Sequence, residues 1–146
     1  MMLLRNPSKI VIHHSLTPDG EALSWQAIRR YHIGIHGWDD IGYHYGIEMV
    51  NGRYEILTGR MPDSRGAHTL GHNHDSIGIC LVGNFDETEV PSDQWDLAVR
   101  FVQALVTAHT IAPKYIYGHR ELDKNRACPG KYFDMEKFRK DVIYGI

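Results

Sequence analysis

No stretch of this chain approaches the ~18 consecutive apolar residues that a membrane span needs, and no membrane span is expected. The opening residues, MMLLRNPSKIVIHHS, turn polar after one short apolar stretch, so they lack the apolar core of a secretory signal. Synthesis in the cytoplasm is expected, and any work beyond the membrane would need release by another agent. A charge excess is missing too: the formal net charge is −2. Dedicated nucleic-acid binders carry a basic surplus, so no nucleic-acid partner is expected. Two cysteines, Cys80 and Cys128, are too few for a disulfide framework. In a chain without a signal they point instead to a ligating or reactive role for one of them. There is no internal repeat, low-complexity tract or linker. Residues 1–146 are read as a single domain, expected to be a monomer, and a hydrophobic fraction of 42% suffices for its core.

What the chain has in surplus is histidine, ten in all, more than structure alone requires of a domain this size. Their setting follows from hydrophobic periodicity. Lys9–His13 (KIVIH) reads as an interior strand, and Pro18-Asp19-Gly20 as a turn. Trp25, Ile28, Tyr31, His32 and Ile35 recur at helical spacing, with Ser24 at the N-cap and Gly34 and Gly37 near the end. Gly42–Val50 and Arg53–Leu57 flank Asn51-Gly52, a strong hairpin signal. The polar, Gly- and His-rich segment Gly59–Asp75 reads as a functional loop. Ser76–Val82, which holds Cys80, is a second buried strand. Ser92 is placed as the cap of a long amphipathic helix carrying Trp95, Ala98, Val102, Leu105, Val106 and His109. Tyr115–Tyr117 is a short strand, and Asp134 caps a last helix with Phe138 and Val142. The fold expected is α/β, with a mixed central sheet flanked by about three helices.

Three places carry chemistry: His13-His14 leaving the first strand, His119 leaving the last, and Cys128 in the loop beyond. Ligands at strand ends and in an adjoining loop converge at one edge of an open sheet. Imidazole and thiolate are the donors zinc prefers, and three protein ligands leave a position for water. The strand reading does not choose between His13 and His14.

IVIHHS, WDDIGYHY, GAHT, GHNHDSIGICLVGNF and GHREL…ACPG, in that order from about Ile10 to Phe138, resemble the successive motifs of the N-acetylmuramoyl-L-alanine amidase type 2 family. That family includes small phage amidase lysozymes and peptidoglycan recognition proteins. The resemblance implies zinc (Zn2+) as cofactor, held by His13, His119 and Cys128, and selects His13 over His14. It makes Tyr43 a catalytic residue and puts Arg126 where the family commonly has a lysine or threonine that assists catalysis. Arginine offers fixed donors but does not deprotonate, so Arg126 could only stabilise charge; Lys124 is the alternative. His68, in GAHT, is expected to bind substrate or move a proton.

The implied reaction is hydrolysis of the amide joining N-acetylmuramic acid to L-alanine in peptidoglycan, with a muropeptide as substrate. Such a centre needs an activated water, a stabilised oxyanion and a proton for the departing amine. No H-E-x-x-H motif supplies a glutamate base, so Tyr43 is the group expected to orient the water or relay the proton. His14 and His44 are read as packing residues, His72 and His74 as loop residues, and His32 and His36 as a helix face without a third ligand. Trp25 and Trp95 are read as core aromatics, and Glu121 either steadies a ligand or is solvated. A phage or prophage endolysin released through a holin-type pore fits these features. The runner-up is a peptidoglycan-binding module of the same fold without activity, and a zinc peptidase comes third.

Overall fold

The computed structural model describes residues 6–16 and 24–146, so the turn expected at Pro18-Asp19-Gly20 lies outside the described residues. Five strands form one mixed sheet: β1 (Lys9–His14), β2 (Tyr45–Val50), β3 (Arg53–Thr58), β4 (Ser76–Leu81) and β5 (Ile116–Gly118), in spatial order β3-β2-β4-β1-β5. β1 runs parallel to β4 and β5, β2 parallel to β4, and β2 and β3 form an antiparallel hairpin. At its turn Asn51 and Gly52 have φ of 53° and 86°, the paired positive values a tight two-residue hairpin demands. The described residues hold four α-helices rather than about three: α1 (Trp25–Gly34), α2 (Ser92–Ala108), α3 (His119–Leu122) and α4 (Met135–Tyr144). The addition, α3, is a single turn and too short for periodicity to register.

β1 and β4, interior strands like β2, are buried over nearly their whole length, and their alternation sorts side chains to two unlike faces. Ile10, Ile12, Ile77, Ile79 and Leu81 pack with Trp95, Ala98, Val99, Val102 and Leu105 of α2 and with Phe138 and Val142 of α4. Each such side chain contributes about 1.5–3 kcal/mol on burial, so this face holds most of the stability. On the other face β2 and β4 present small residues: Gly46, Ser76, Gly78 and Cys80. There Trp25 lies so close that a Cβ on Gly46 would meet its ring at 2.4 Å. Trp25, Ile41 and Cys80 form a second, smaller cluster. The small residues of this face leave room for the Trp25 ring.

Element ends moved by a few residues. The strand expected from Gly42 begins at Tyr45, and the last strand starts at Ile116 because Pro113–Tyr115 forms a 3-10 turn. Asp134 caps α4, accepting from Lys137 N–H at 3.0 Å. Ser92 opens α2 with Pro91 at the cap position, and Ser24 occupies the α1 cap without a side-chain bond. The α1 pattern identified the helix but not its burial: Trp25 is buried, whereas Tyr31 is 52% and Ile35 72% exposed.

Candidate metal centre

β1 delivers two adjacent histidines to its C-terminal end, and the period of two separates them. His14 falls on the helix-covered face, where its Nδ1 accepts from Phe85 N–H at 3.0 Å and its ring lies 5.8 Å from that of Phe85. His13, 1% exposed, falls on the small-residue face opposite Cys80. Beside it β5 ends at Gly118, and His119 opens α3. Glu121 braces this corner: its carboxylate accepts from Gly118 N–H at 2.8 Å and from the Arg139 guanidinium at 2.8 and 3.0 Å. Arg120 ties in the following loop, its N–H donating to the Cys128 carbonyl at 2.8 Å and its guanidinium to Gly130 and Phe133 carbonyls. Cys128 Sγ accepts from His14 N–H at 3.3 Å.

These tethers bring the donor atoms of His13, His119 and Cys128 within 4.8 Å of one another. His13 Nδ1 stands 3.5 Å from Cys128 Sγ, and the His13 and His119 ring centroids are 4.7 Å apart. Donors held tetrahedrally at zinc distances stand about 3.5 Å apart, so small movements would close this set on the ion. Two nitrogens and one sulfur are a donor set zinc favours, and the residues fit it. Burial pushes His13 well below the usual histidine range, with neighbouring His68 and His119 adding to the effect. Burial also lowers His119, helped by the charge of Arg126. Both imidazoles therefore keep lone pairs at neutral pH. Burial pushes the Cys128 thiol up to about 12, against the opposing pull of the His14 N–H, so a cation must displace its proton on binding.

Tyr43 stands beside this cluster, its ring 5.1 Å from that of His13. Its hydroxyl shares a hydrogen bond with the Cys80 thiol, and burial together with the two cysteines pushes the phenol well above its usual value. The phenol therefore stays protonated near neutral pH. Arg126 is far more open: its side chain is 64% exposed and lies 3.8 Å from Asp123, close enough to the pair for its charge to act on His119 and Cys128. Lys124 is exposed in the same loop.

His68, expected to bind substrate or move a proton, stands against His13. Its Nδ1 lies 2.9 Å from His13 Nε2 and 2.9 Å from Thr69 Oγ1, while its Nε2 lies 3.3 Å from Ser76 Oγ. Both ring nitrogens are turned into the protein. His44, fully buried and just ahead of β2, bonds Ser64 and Gly78 and is a packing residue. His32 accepts from Gly42 N–H at 2.9 Å, and burial lowers it to about 4. His72 meets the Lys9 ammonium at 2.9 Å. Sequence reasoning missed Arg60, which donates to the carbonyls of Ile41, Arg65 and Asp40 and so knits two loops behind the site. Nothing in its local sequence marks it.

The profile of the N-acetylmuramoyl-L-alanine amidase family matches residues 3–131. The chain belongs to this family. Among amidase relatives, it is 34% identical over 131 residues to the N-acetylmuramoyl-L-alanine amidase of Sus scrofa, covering 83% of this chain and 21% of the pig protein. It is 33% identical over 129 residues to peptidoglycan-recognition protein SC2 of Drosophila melanogaster, covering 84% of this chain and 68% of the fly protein. Among solved structures, the endolysine N-acetylmuramoyl-L-alanine amidase LysCS from Clostridium intestinale URNW superposes with a TM-score of 0.80 at 27% identity, over 94% of this chain and 84% of LysCS. The mixed sheet with its histidine and cysteine cluster is thus an amidase-family fold. No helix among the described residues is long and apolar enough to cross a membrane.

Proposed function

We propose that this chain is a zinc-dependent amidase that hydrolyses the bond between N-acetylmuramic acid and L-alanine in peptidoglycan. The observation that carries the reading is the convergence of the His13, His119 and Cys128 donors within 4.8 Å, on a face that also holds Tyr43. When bound, zinc supplies the Lewis acidity that activates a water and polarises the amide carbonyl. The chain's own residues do the rest. Tyr43, kept protonated by its surroundings, donates a hydrogen bond to the reacting centre and holds a proton for the departing amine. Arg126, exposed at the rim, leaves Asp123 to neutralise charge developing on the carbonyl oxygen. It exchanges no proton, so acid–base work rests with Tyr43 and water.

Likeness to an endolysine amidase supports a role as a cell-wall lysin, and release through a holin-type pore is proposed with it. Likeness to a peptidoglycan-recognition protein supports the second reading, muropeptide binding without cleavage. Incubation of the zinc-loaded protein with purified peptidoglycan separates them. New L-alanine amino termini on intact stem peptides are expected. Binding without new amines would replace the amidase by the recognition module, and cleavage inside the stem would replace it by a peptidase.

A further inference from the structure

The ring of His68 lies flat on β4, where a Cβ on Gly78 would meet its Cδ2, Cγ and Nε2 at 2.5, 2.6 and 2.7 Å. Asn73 holds the adjoining backbone, its Oδ1 accepting from the N–H groups of His68 and Thr69 at 2.8 Å each. The protons of the surrounding network can be placed in sequence. Ser76 Oγ is 2.6 Å from the His72 carbonyl oxygen, and a carbonyl can only accept, so the one serine proton points there. Toward His68 Nε2, at 3.3 Å, Ser76 must therefore accept, and His68 carries its proton on Nε2. A neutral His68 then presents a lone pair at Nδ1. His13 Nε2 faces that lone pair at 2.9 Å, with Thr69 Oγ1 3.3 Å away. Two lone pairs do not meet at 2.9 Å, so His13 carries its proton on Nε2. Its Nδ1, 3.5 Å from Cys128 Sγ, is left unprotonated.

We infer that His68 is a positioning residue for the metal centre: with Ser76 it fixes the tautomer and rotation of His13, so that Nδ1 is the atom offered to the metal. The inference rests on the reading of His13 as a zinc ligand and deepens it. Ligand histidines usually donate their second N–H to a carboxylate, a carbonyl or water. Here the acceptor is an imidazole, which orients the ring without adding negative charge. With two neutral imidazoles, Cys128 alone tempers the charge of the ion, which keeps it a strong Lewis acid. The GAHT and HNHDS segments are in this view one device, each completing the other's hydrogen bonds.

Long-range 1H–15N spectra of histidine-labelled, zinc-free protein test this directly, with His68→Gln and Ser76→Ala spectra assigning the resonances. His13 and His68 should both show the Nε2–H tautomer, and added zinc should shift His13 Nδ1. A His13 proton on Nδ1, or zinc shifting Nε2, overturns the inference. Chelator-competition titration gives a second readout. His68→Phe keeps the packing on Gly78 but removes the acceptor, and should weaken zinc binding about 10–100-fold. His68→Gln, whose amide can both accept from His13 and donate to Ser76, should recover most of that loss. Unchanged zinc affinity in His68→Phe overturns the inference. Should the wild-type protein bind no zinc, the functional reading falls, while the zinc-free spectra still decide the tautomer.

Discussion

Replacing Gly78 by alanine tests how tightly β4 and the metal centre are joined. The added methyl would stand 2.5–2.7 Å from three atoms of the His68 ring. Ordinary carbon contacts need about 3.5–4.0 Å, so the ring must retreat by roughly 1 Å. The retreat runs across the ring plane, so its in-plane bonds to His13 at 2.9 Å and to Ser76 at 3.3 Å would both lengthen and bend away from good geometry. The strand has little freedom to yield instead, because Gly78 N–H is bonded to His44 Nδ1 and its carbonyl to His44 N–H, each at 3.0 Å. Overpacking of this kind costs about 1–3 kcal/mol, and the weakened hydrogen bonds up to about 1 kcal/mol more. For a domain of this size that lowers Tm by roughly 6–15 °C, and zinc affinity should fall about 10–100-fold. Gly34→Ala is the control. It lies at the end of α1 with nothing within 4 Å of an added Cβ, and should be neutral or stabilising by up to about 1 kcal/mol. Differential scanning calorimetry and chelator competition read both variants. A Gly78→Ala protein matching the wild type in Tm and zinc affinity would refute the reasoning.

Cys128→Ala should abolish stoichiometric zinc binding and turnover while the far-UV circular dichroism stays native, because Cys128 lies outside both buried clusters. The loss leaves the His14 N–H without its sulfur acceptor, a penalty of about 1–3 kcal/mol; full activity in metal-free Cys128→Ala would contradict the proposal. Acid should destabilise the zinc-free protein. His13, His44 and His68 are all held below the ordinary histidine value by burial, and His14 is lowered from 6.5 to about 4. Below pH 6.5 the unfolded chain thus binds more protons than the folded one, and stability present above that pH is lost as pH falls toward 4. His14 alone gives a slope of up to about 1.4 kcal/mol per pH unit in that window. Urea midpoints at pH 7 and pH 5 measure it, and equal midpoints would be the contrary result.

Much of this arrangement was legible in order along the chain. Dense β-branched runs located β1 and β4, 3.6-residue spacing located α2 and α4, and Asn51-Gly52 located the hairpin. The motifs that hold His13, Tyr43, His119 and Cys128 marked the residues that now stand together around one point. Two features escaped. The single turn α3 is shorter than the period by which helices are recognised. Arg60 works through backbone carbonyls, which leave no trace in side-chain pattern.

Sequence by itself determined the kinds of element, the donor chemistry and the family, because those depend on residue type at short spacing. Tertiary structure supplied the physical reason that His13, which the family resemblance selected over His14, faces the site, since strand parity has meaning only once α2 and α4 cover one face of the sheet. It also turned His68 from a cleft residue into a partner of His13, and left Arg126 at the exposed rim. The physical reason is the same in each case. A hydrogen bond between groups 55 residues apart depends on where the chain returns, and local periodicity carries no information about that return.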